Sequence, residues 1–534
     1  MLQHKLSQFR ILGEFKFISL LALHVFLCLE VLAGSPYTKW DNGAAINRID
    51  EIVLENLARE GLKQATLSSD AIFLRRIYID LTGMIPQASE VWEFINDERV
   101  DKRERVIDEL MSRDSFNDYW AMRWCDVLRV KAEFPINLWP NGVQAYYRWI
   151  HDSIKNNKRY DQFVRELLTT SGSNFRDPPV NFYLAMQGKD ASSIARSVGL
   201  TFMGIHLEKW DEAQRVEFEK FFSRVYFKGT AEWKETVVIN DPSVTEGKQG
   251  QLIAVLPNGE KVIIEGGEDP RSAFADWLIS NENDWFARAI VNRVWTWVYG
   301  KGLTPIADDI NIHDLGQHDK LMDYLVEELV KSDWDIKHLI KHICLSRTYQ
   351  QSSIPQSDDS GGEDMFAFYP VNRLDAEVIS DVFVYLFGKP ESYMSMVPEP
   401  FTWIPEEHRS VELQDGSISS QFLEMFGRPS RDTGSMDERN NQPTRAQKLH
   451  LLNSSSVQGR IAKSPRIKAW IKASKGKPNR LINAIYVSIL SRRPTPTEIV
   501  RVQLYLGDNK KKWSQNVVDI VWALVNTKEF LYRH

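Results

Sequence analysis

Apolar residues recur every three or four positions along most of the chain, and this spacing predicts amphipathic helices. The stretch INRIDEIVLENLAREG at 46–61 shows the pattern and ends on Gly61, a residue suited to the position after a helix C-terminus. Ser69 and Asp70 can cap the following helix, which is predicted to stop at Gly83. The chain is therefore predicted to be mainly α.

The pattern changes at 235–265, where the period becomes that of β-strands. QLIAVLPNGEKVIIE at 251–265 has two β-rich runs around Asn258-Gly259, and Asn-Gly between such runs is the strongest short signal for a hairpin. ETVVIND, just before it, is a candidate third strand. We therefore predict a helical domain, a small β unit with a hairpin and a second helical domain, at 36–230, 231–267 and 268–534.

The first 33 residues have the organisation of a signal peptide. Three basic residues precede an apolar run at 17–29, and Ala33 ends a small-residue cleavage site. The run is about 13 residues long, short of the ~20 that cross a bilayer, so no membrane span is expected after cleavage. We predict a signal peptide at 1–33 and a periplasmic or secreted protein; an uncleaved anchor is the alternative.

Composition limits the classes of partner. The 534 residues are 43% hydrophobic, enough for two or three domains with ordinary cores. A formal net charge of −6 and a pI near 6.1 give no overall attraction to nucleic acid. Once residues 1–33 are removed, Cys125 and Cys344 remain, on predicted helices of different domains. Two buried free thiols are expected, and a disulfide is the alternative.

Three long blocks carry a family resemblance. FLRRIYIDLTGMIP at 73–86 and YWAMRWCDVLRVK at 119–131 form the first, and the second is AFADWLISNENDWFARAIVNRVWTWVYGKGL at 273–303. The third comprises 422–458 and LSRRPTPTE at 490–498. Together they resemble secreted planctomycete-type proteins that pair two domains of unknown function, numbered fifteen forty-nine and fifteen fifty-three. The first of these is also called the second planctomycete cytochrome-C-like domain.

The resemblance makes one gap in this sequence informative. Many relatives carry a Cys-x-x-Cys-His-x-His run between a Leu-Glu and a Lys-Trp pair, and Cys-x-x-Cys-His is the attachment site of a c-type haem. Here Leu207-Glu208 continues directly into Lys209-Trp210. We therefore expect no covalent haem and predict no cofactor. This argues against the third functional alternative, an electron-transfer relic of the cytochrome-like relatives.

Histidines are the candidate metal ligands. His338 and His342 lie four residues apart on one predicted helix, so both imidazoles face one side, as in zinc-binding helices. The residues upstream that could complete a site are His313, His318, Asp308, Asp309, Asp314 and Asp319. A surface helix after a polar loop is the simpler interpretation. No metal is predicted, and the histidine pair is kept only as a weak candidate.

An arginine-rich segment at 428–440 is the candidate ligand site. Between two predicted helices it gathers Arg428, Arg431, Asp432, Glu438, Arg439 and Asn440. A guanidinium donates two parallel hydrogen bonds, which suits carboxylate, sulfate or phosphate. The alternative is that Arg431 and Arg439 join the two domains through buried ion pairs. We expect the segment to lie against the first domain, at a polar cleft shared with Arg76 or Arg293.

Two predicted helices carry polar residues in apolar surroundings. Arg76 and Asp80 are spaced for an i,i+4 ion pair, and Arg75 lies beside them. A helix of the second domain repeats this arrangement with Arg288, Asn292 and Arg293. We interpret both sets as satisfied internal networks rather than catalytic groups.

The chain contains 17 tryptophans, and indole faces are used to stack on sugar rings. Five of them recur at helical spacing on apolar faces and are predicted to belong to the core: Trp120, Trp124, Trp277, Trp295 and Trp297. Three others, beside prolines or in loops, are the candidate exposed platforms: Trp139, Trp233 and Trp403.

The sequence contains no nucleophile-elbow, phosphate-loop or zinc-protease motif. The favoured hypothesis is a non-haem envelope module that binds a glycan, an anionic ligand or a partner protein. A hydrolase acting on complex or sulfated polysaccharide is the alternative. The resemblance implies this alternative only by association, because relatives tend to be encoded beside sulfatase-like secreted proteins, which are candidate partners. Whether the protein is an enzyme stays open.

Overall fold

The computed structural model describes residues 35–39, 41, 43–244, 250–280, 283–312, 316–356, 361–397, 402, 404–405 and 407–534. Helices make up most of these residues and each sheet has two or three strands, so the prediction of a mainly α protein is confirmed. The predicted signal peptide at 1–33 lies outside the described residues. Within the described ranges, no helix is both long and apolar enough to cross a membrane.

The first part of the chain is a succession of short helices whose ends match their capping residues. The second helix begins after Ser69, whose hydroxyl accepts a hydrogen bond from the amide of Ile72, and ends at Gly83. The first ends at Gly61, in the left-handed conformation with φ of 70°. These helices are α1 (Arg48–Glu60), α2 (Asp70–Thr82), α3 (Ala88–Asn96), α4 (Lys102–Ser112), α5 (Asp114–Val127), α6 (Trp139–Lys155), α7 (Tyr160–Thr169), α8 (Asn181–Leu184), α9 (Ala191–Val198) and α10 (Glu212–Glu219).

The strands are short and pair antiparallel. The predicted hairpin is confirmed: Leu252–Val255 pairs with Lys261–Ile264 around Gly259, which has φ of 89°. The predicted third strand exists, but it pairs with Val225–Gly229 and not with the hairpin. Along Val225–Gly229 partly buried and exposed residues alternate, a period-2 pattern inside the range predicted as helical. In chain order the strands are β1 (Thr38–Lys39), β2 (Leu67–Ser68), β3 (Gly172–Ser173), β4 (Val225–Gly229), β5 (Thr236–Asn240), β6 (Leu252–Val255), β7 (Lys261–Ile264), β8 (Asn372–Arg373) and β9 (Tyr532–Arg533).

Helices return after the hairpin and continue to the last described residues. They are α11 (Pro270–Leu278), α12 (Asp284–Tyr299), α13 (Asp319–Lys331), α14 (Ile336–Leu345), α15 (Arg347–Gln350), α16 (Ala376–Phe387), α17 (Gln421–Met425), α18 (Arg445–Asn453), α19 (Ser455–Lys463), α20 (Pro465–Ser474), α21 (Pro478–Leu490), α22 (Pro496–Leu506), α23 (Trp513–Val525) and α24 (Lys528–Leu531). Helices of the two parts pack on each other, for example α1 on α13 and α3 on α21.

Aromatic side chains from both parts meet in one core. Trp120 and Trp124 of α5 each contact Trp297 of α12 edge to face, with ring centroids 5.8 and 5.6 Å apart. All five tryptophans predicted to be core residues are buried, which confirms that prediction. Cys125 and Cys344 are buried and free, so the expectation of two free thiols is also confirmed. The core therefore joins the two halves of the chain.

Candidate functional site

A polar cavity of about 200 Å³ lies where the two parts of the chain meet. Its wall combines α5, α12, the segment that begins with β8, the loop after α17 and the strand β9. The charged residues on the wall are four arginines and two aspartates: Arg123, Arg373, Arg439, Arg533, Asp126 and Asp375. The cavity wall therefore carries more positive than negative side chains.

Helix α5 contributes three polar residues to this wall. Tyr119, Arg123 and Asp126 are spaced four and three residues apart, which places them on one helix face. Asp375, just before α16, accepts hydrogen bonds from Arg123 at 2.6 Å and from the Tyr119 hydroxyl at 3.1 Å. Asn441 donates to its other oxygen at 2.7 Å. Burial alone would raise the pKa of Asp375, but the guanidiniums of Arg123 and Arg439 outweigh it, so this pKa lies well below its usual range.

A second aspartate binds two arginines of the 428–440 segment. Asp126 accepts from Arg431 at 2.9 Å and from Arg439 at 2.6 Å, and Arg439 also pairs with the fully buried Glu377 at 2.7 Å. Burial would raise the pKa of Asp126, but Arg439 and Arg431 lower it further than burial raises it. These pairs join helix α5 to helix α16, which is the arrangement described by the ion-pair alternative.

Arg373 differs from the other arginines of the wall. It is buried, and one of its terminal nitrogens donates to the carbonyls of Phe426 and Asn440. Its Nε and its other terminal nitrogen have no partner among the described residues, and no described carboxylate pairs with it. Burial lowers the pKa of this guanidinium. The cavity is therefore lined by a cation that forms no ion pair with a described carboxylate.

The 428–440 segment lies against the first part of the chain, as predicted. Lys131 pairs with Asp432 at 2.6 Å, and the amide of Met436 donates to Asp308 at 2.7 Å. Asp308 in turn pairs with Arg293 at 2.7 Å. Glu438 accepts hydrogen bonds from backbone amides within the segment and so fixes its conformation. Arg293 is thus linked to the segment through Asp308.

Of the eight residues predicted for ligand binding, the structure places one, Arg439, on the cavity wall. Arg428 contacts Glu377 and nearby backbone carbonyls, and Asn440 bonds the backbone of Gly427. Arg431, Asp432, Glu438 and Arg293 have the partners given above. A polar cavity therefore lies beside the segment, but neither Arg76 nor Arg293 lines it, and most of the predicted residues are bound to other protein groups outside its wall.

Arg76 requires a correction. It does not reach the cavity: its guanidinium lies 3.6 Å from the Tyr369 ring centroid and donates to the carbonyls of Tyr349, Gln351 and His534. The predicted Arg76–Asp80 ion pair is also wrong, because Asp80 pairs with Arg533 at 2.7 Å. The Arg76 guanidinium donates to backbone carbonyls where the two parts of the chain meet. These carbonyl dipoles, and not the carboxylate of Asp80 one helical turn away, stabilise its charge.

The internal-network interpretation fits most of the other predicted polar residues. Arg75 is buried and donates to the carbonyls of Ile489 and Phe530. Asn292 is buried and binds Thr304 and the backbone of Leu303. Arg288 differs, because it forms ion pairs with the exposed carboxylates of Asp284 and Asp323 on the protein surface.

The candidate metal ligands are dispersed. His338 and His342 stack with ring centroids 6.1 Å apart, but His342 bonds the Tyr324 hydroxyl at 2.8 Å. His318 binds the carbonyl of Asp364. Within the described ranges, no group of three or more His, Cys, Asp or Glu side chains is placed to hold a metal ion. His313 and Asp314 lie outside the described residues.

The candidate aromatic platform is partly formed. Trp139 and Trp233 contact each other edge to face, with ring centroids 4.8 Å apart, and 62% of Trp233 is exposed. The ammonium of Lys234 lies 5.4 Å from the Trp139 ring. Trp403 lies outside the described residues.

Sequence reasoning missed most of the wall. Tyr119, Arg123 and Asp126 could have been recognised from the sequence, since they recur at helical spacing among the apolar residues Trp120, Ala121, Met122, Trp124 and Val127. Asp375 could also have been recognised from the sequence, because it precedes helix α16 at the N-cap position. No sequence signal points to Arg533, because its partner Asp80 lies 453 positions away in the chain.

Gly434 fixes how closely the loop approaches α5. Its φ is 75°, and a Cβ there would lie 2.5 Å from the carbonyl oxygen of Val127. We expect Gly434→Ala to lower the free energy of unfolding by about 2–3 kcal/mol, from backbone strain plus this clash. Gly61→Ala is the control, because Gly61 has the same backbone conformation with nothing within 4 Å. Chemical denaturation of both variants tests this, and equal losses would contradict it.

The fold and cavity define a mainly α protein with a charged pocket between two helical parts. Two family models match the chain: PSCyt2, Protein of unknown function (DUF1549), at residues 48–221, and PSD1, Protein of unknown function (DUF1553), at residues 270–506. The chain belongs to the family that pairs these two domains of unknown function. No curated protein and no solved structure matches it. The cavity lies at the junction of the two matched segments.

Proposed function

We propose that the protein is an exported binding module that holds a small anionic ligand in the cavity between its two matched segments. The observation that carries the proposal is Arg373, a buried guanidinium on the cavity wall with two nitrogens that have no partner among the described residues and with no ion pair to a described carboxylate. The other three arginines of the wall each pair with a carboxylate, whereas a buried guanidinium without a counter-ion is costly. A carboxylate, sulfate or phosphate beside Arg373 would supply the missing negative charge and accept its unused N–H groups.

The size and polarity of the cavity narrow the ligand class. A cavity of about 200 Å³ is smaller than the ~300–1,000 Å³ of ordinary ligand pockets, so it suits a small molecule. The wall also contains Trp297, and Asn441, whose carbonyl oxygen has no partner among the described residues. An acceptor of this kind suits a ligand hydroxyl. A monosaccharide bearing a carboxylate or sulfate combines all of these features.

The protonation of the wall favours binding over hydrolysis. A glycosidase needs one carboxyl group that keeps its proton near neutral pH and so can act as a general acid. Asp126 and Asp375 are both held ionised, because their pKa values are lowered by adjacent guanidiniums. Neither aspartate is suited to donate a proton, which supports a binding module rather than a hydrolase.

The test is a titration of the purified protein with sulfate, phosphate, glucuronate and, as the neutral comparison, glucose. We expect the anions to bind and Arg373→Gln to weaken that binding by about 1.5–3 kcal/mol, roughly ten- to a hundredfold, because charge-assisted hydrogen bonds are lost. Because Arg373 also donates to the carbonyls of Phe426 and Asn440, the melting temperature without ligand should fall somewhat, and the stabilisation that added anion gives should be lost in the variant.

Arg105→Gln is the matched control, since Arg105 is exposed on α4 and has no described ion-pair partner. It should bind anions as tightly as the wild type. The proposal would be abandoned if no anion bound more tightly than glucose, or if Arg373→Gln retained wild-type affinity. A drop in melting temperature equal with and without anion would instead assign Arg373 a structural role.

A further inference from the structure

Basic residues are concentrated in one part of the sequence. Between Glu438 and Glu498 the chain contains thirteen lysines and arginines and no acidic residue, although the whole chain has a formal charge of −6. Lys510, Lys511 and Lys512 follow shortly after. This stretch forms the helices α18 to α22 and the connection to α23. The protein therefore has a strongly positive region on an otherwise acidic chain.

Much of this charge lies at one end of the helices α20 to α23. The connection between α20 and α21 lies against the connection between α22 and α23, because a Cβ on Gly476 would be 2.7 Å from the Nζ of Lys510. We call the exposed basic residues of these two connections and their flanks the basic end: Lys472, Lys475, Lys477, Arg480, Lys510, Lys511 and Lys512.

Within the part of the chain that the structure describes, the basic end has no ion-pair partner. No residue of this set forms an ion pair with a described carboxylate, whereas the neighbouring Arg492 pairs with both Glu498 and Glu529. Like charges held this close repel one another, and an external anionic surface would relieve that repulsion. The charge therefore complements a partner that presents many negative groups at once.

Apolar side chains are exposed on the helix that leads into the basic end. On α22, Leu504 is 78% exposed, Tyr505 53% and Val500 43%. Val500 and Leu504 are four residues apart, so they share one face of the helix. Leu504 and Tyr505 lie within eight residues of Lys510, Lys511 and Lys512. The exposed surface thus combines insertable apolar side chains with a group of ammonium ions.

We infer that the basic end and the exposed face of α22 dock on an anionic lipid surface. Lysines beside exposed leucine and tyrosine are the combination that interfacial binding uses: the apolar groups enter the acyl boundary and the ammonium groups pair with lipid phosphates. Long lysine side chains can lie along the surface while their charges reach the headgroups. A linear anionic polysaccharide or a nucleic acid would use the lysines but gain nothing from Leu504.

The experiment is co-sedimentation with phosphatidylcholine vesicles, with and without a third of the lipid replaced by phosphatidylglycerol. It uses residues 34–534, because the apolar run at 17–29 would bind vesicles by itself. We expect binding only to the anionic vesicles. Lys510→Glu/Lys511→Glu/Lys512→Glu should weaken it on the order of a hundredfold, and Leu504→Ser roughly tenfold.

The control variant is Lys63→Glu/Lys228→Glu/Lys261→Glu. It reverses the charge of three exposed lysines elsewhere on the surface and changes the net charge of the protein by the same amount. It should bind vesicles nearly as well as the wild type. Equal loss in the control would mean that net charge alone drives binding and would overturn the inference. Unchanged binding by Leu504→Ser, together with equally tight binding to heparin or duplex DNA, would also overturn it and assign the basic end to a soluble polyanion.

Discussion

Replacing Glu377 by glutamine is expected to lower the free energy of unfolding by about 3–5 kcal/mol. The Glu377 side chain is fully buried and contacts Arg439 at 2.7 Å and Arg428 at 3.4 Å. Glutamine keeps the shape but removes the charge, so two buried guanidiniums lose a counter-ion that water cannot replace. Chemical denaturation followed by circular dichroism measures the effect.

Glu327→Gln is the control for this prediction. Glu327 pairs with Lys331 at 3.2 Å on the surface of α13, where both side chains are largely exposed. Exposed pairs contribute little, so its removal should change the free energy of unfolding by less than about 1 kcal/mol. If both variants lost the same amount, the network around Glu377 would not be the electrostatic link between the two parts.

Acid is expected to destabilise the protein steeply below about pH 4. Asp375 and Asp126 have folded pKa values below their unfolded values, so their contribution is present above the unfolded pKa and is lost as pH falls through the folded pKa. The contribution of both carboxylates is lost progressively as pH falls below their unfolded pKa of about 4. Unfolding free energies measured across this range should show the decline.

Asp381 acts in the opposite direction and must be separated from this effect. Burial raises its pKa to about 6, so its protonation stabilises the folded state as pH falls toward 4. Asp375→Asn isolates the first effect, because Asp381 is unchanged in it. The variant should be less stable than the wild type at pH 7 and lose less stability below pH 4. Parallel pH curves for the two proteins would show that Asp375 does not contribute.

The sequence predicts the fold where local signals agree. Ser69, Gly61 and Gly83 mark helix ends, and Asn258-Gly259 marks the hairpin, because capping and turn residues act on their immediate neighbours. The strand Val225–Gly229 was missed, since five residues after a helix give too short a window for the period to show. Its partner Thr236–Asn240 was recognised as a candidate strand, but its pairing depends on tertiary contacts.

The cavity could be anticipated only in part. The 428–440 segment and its contact with the first part of the chain follow from its polarity between two helices, and Arg439 does reach the wall. The sequence does not show which arginines are paired with a carboxylate. Asp126, Glu377 and Asp80 form their ion pairs with arginines from distant segments of the chain. The i,i+4 spacing of Arg76 and Asp80 predicts an ion pair from local geometry alone. In the folded protein Asp80 pairs instead with Arg533, which is close only in the tertiary structure.

The pairing of Asp80 with Arg533 also bears on the order in which the protein can be built. The two residues are separated by 453 positions, and Tyr532–Arg533 pairs with Asn372–Arg373 beside the cavity. During synthesis, α2 emerges long before its counter-ion, so the helix cannot bury Asp80 cheaply until nearly all of the described chain is available. We therefore expect the core around Asp80 to close late in synthesis, which leaves an interval in which its apolar surface is open to chaperones.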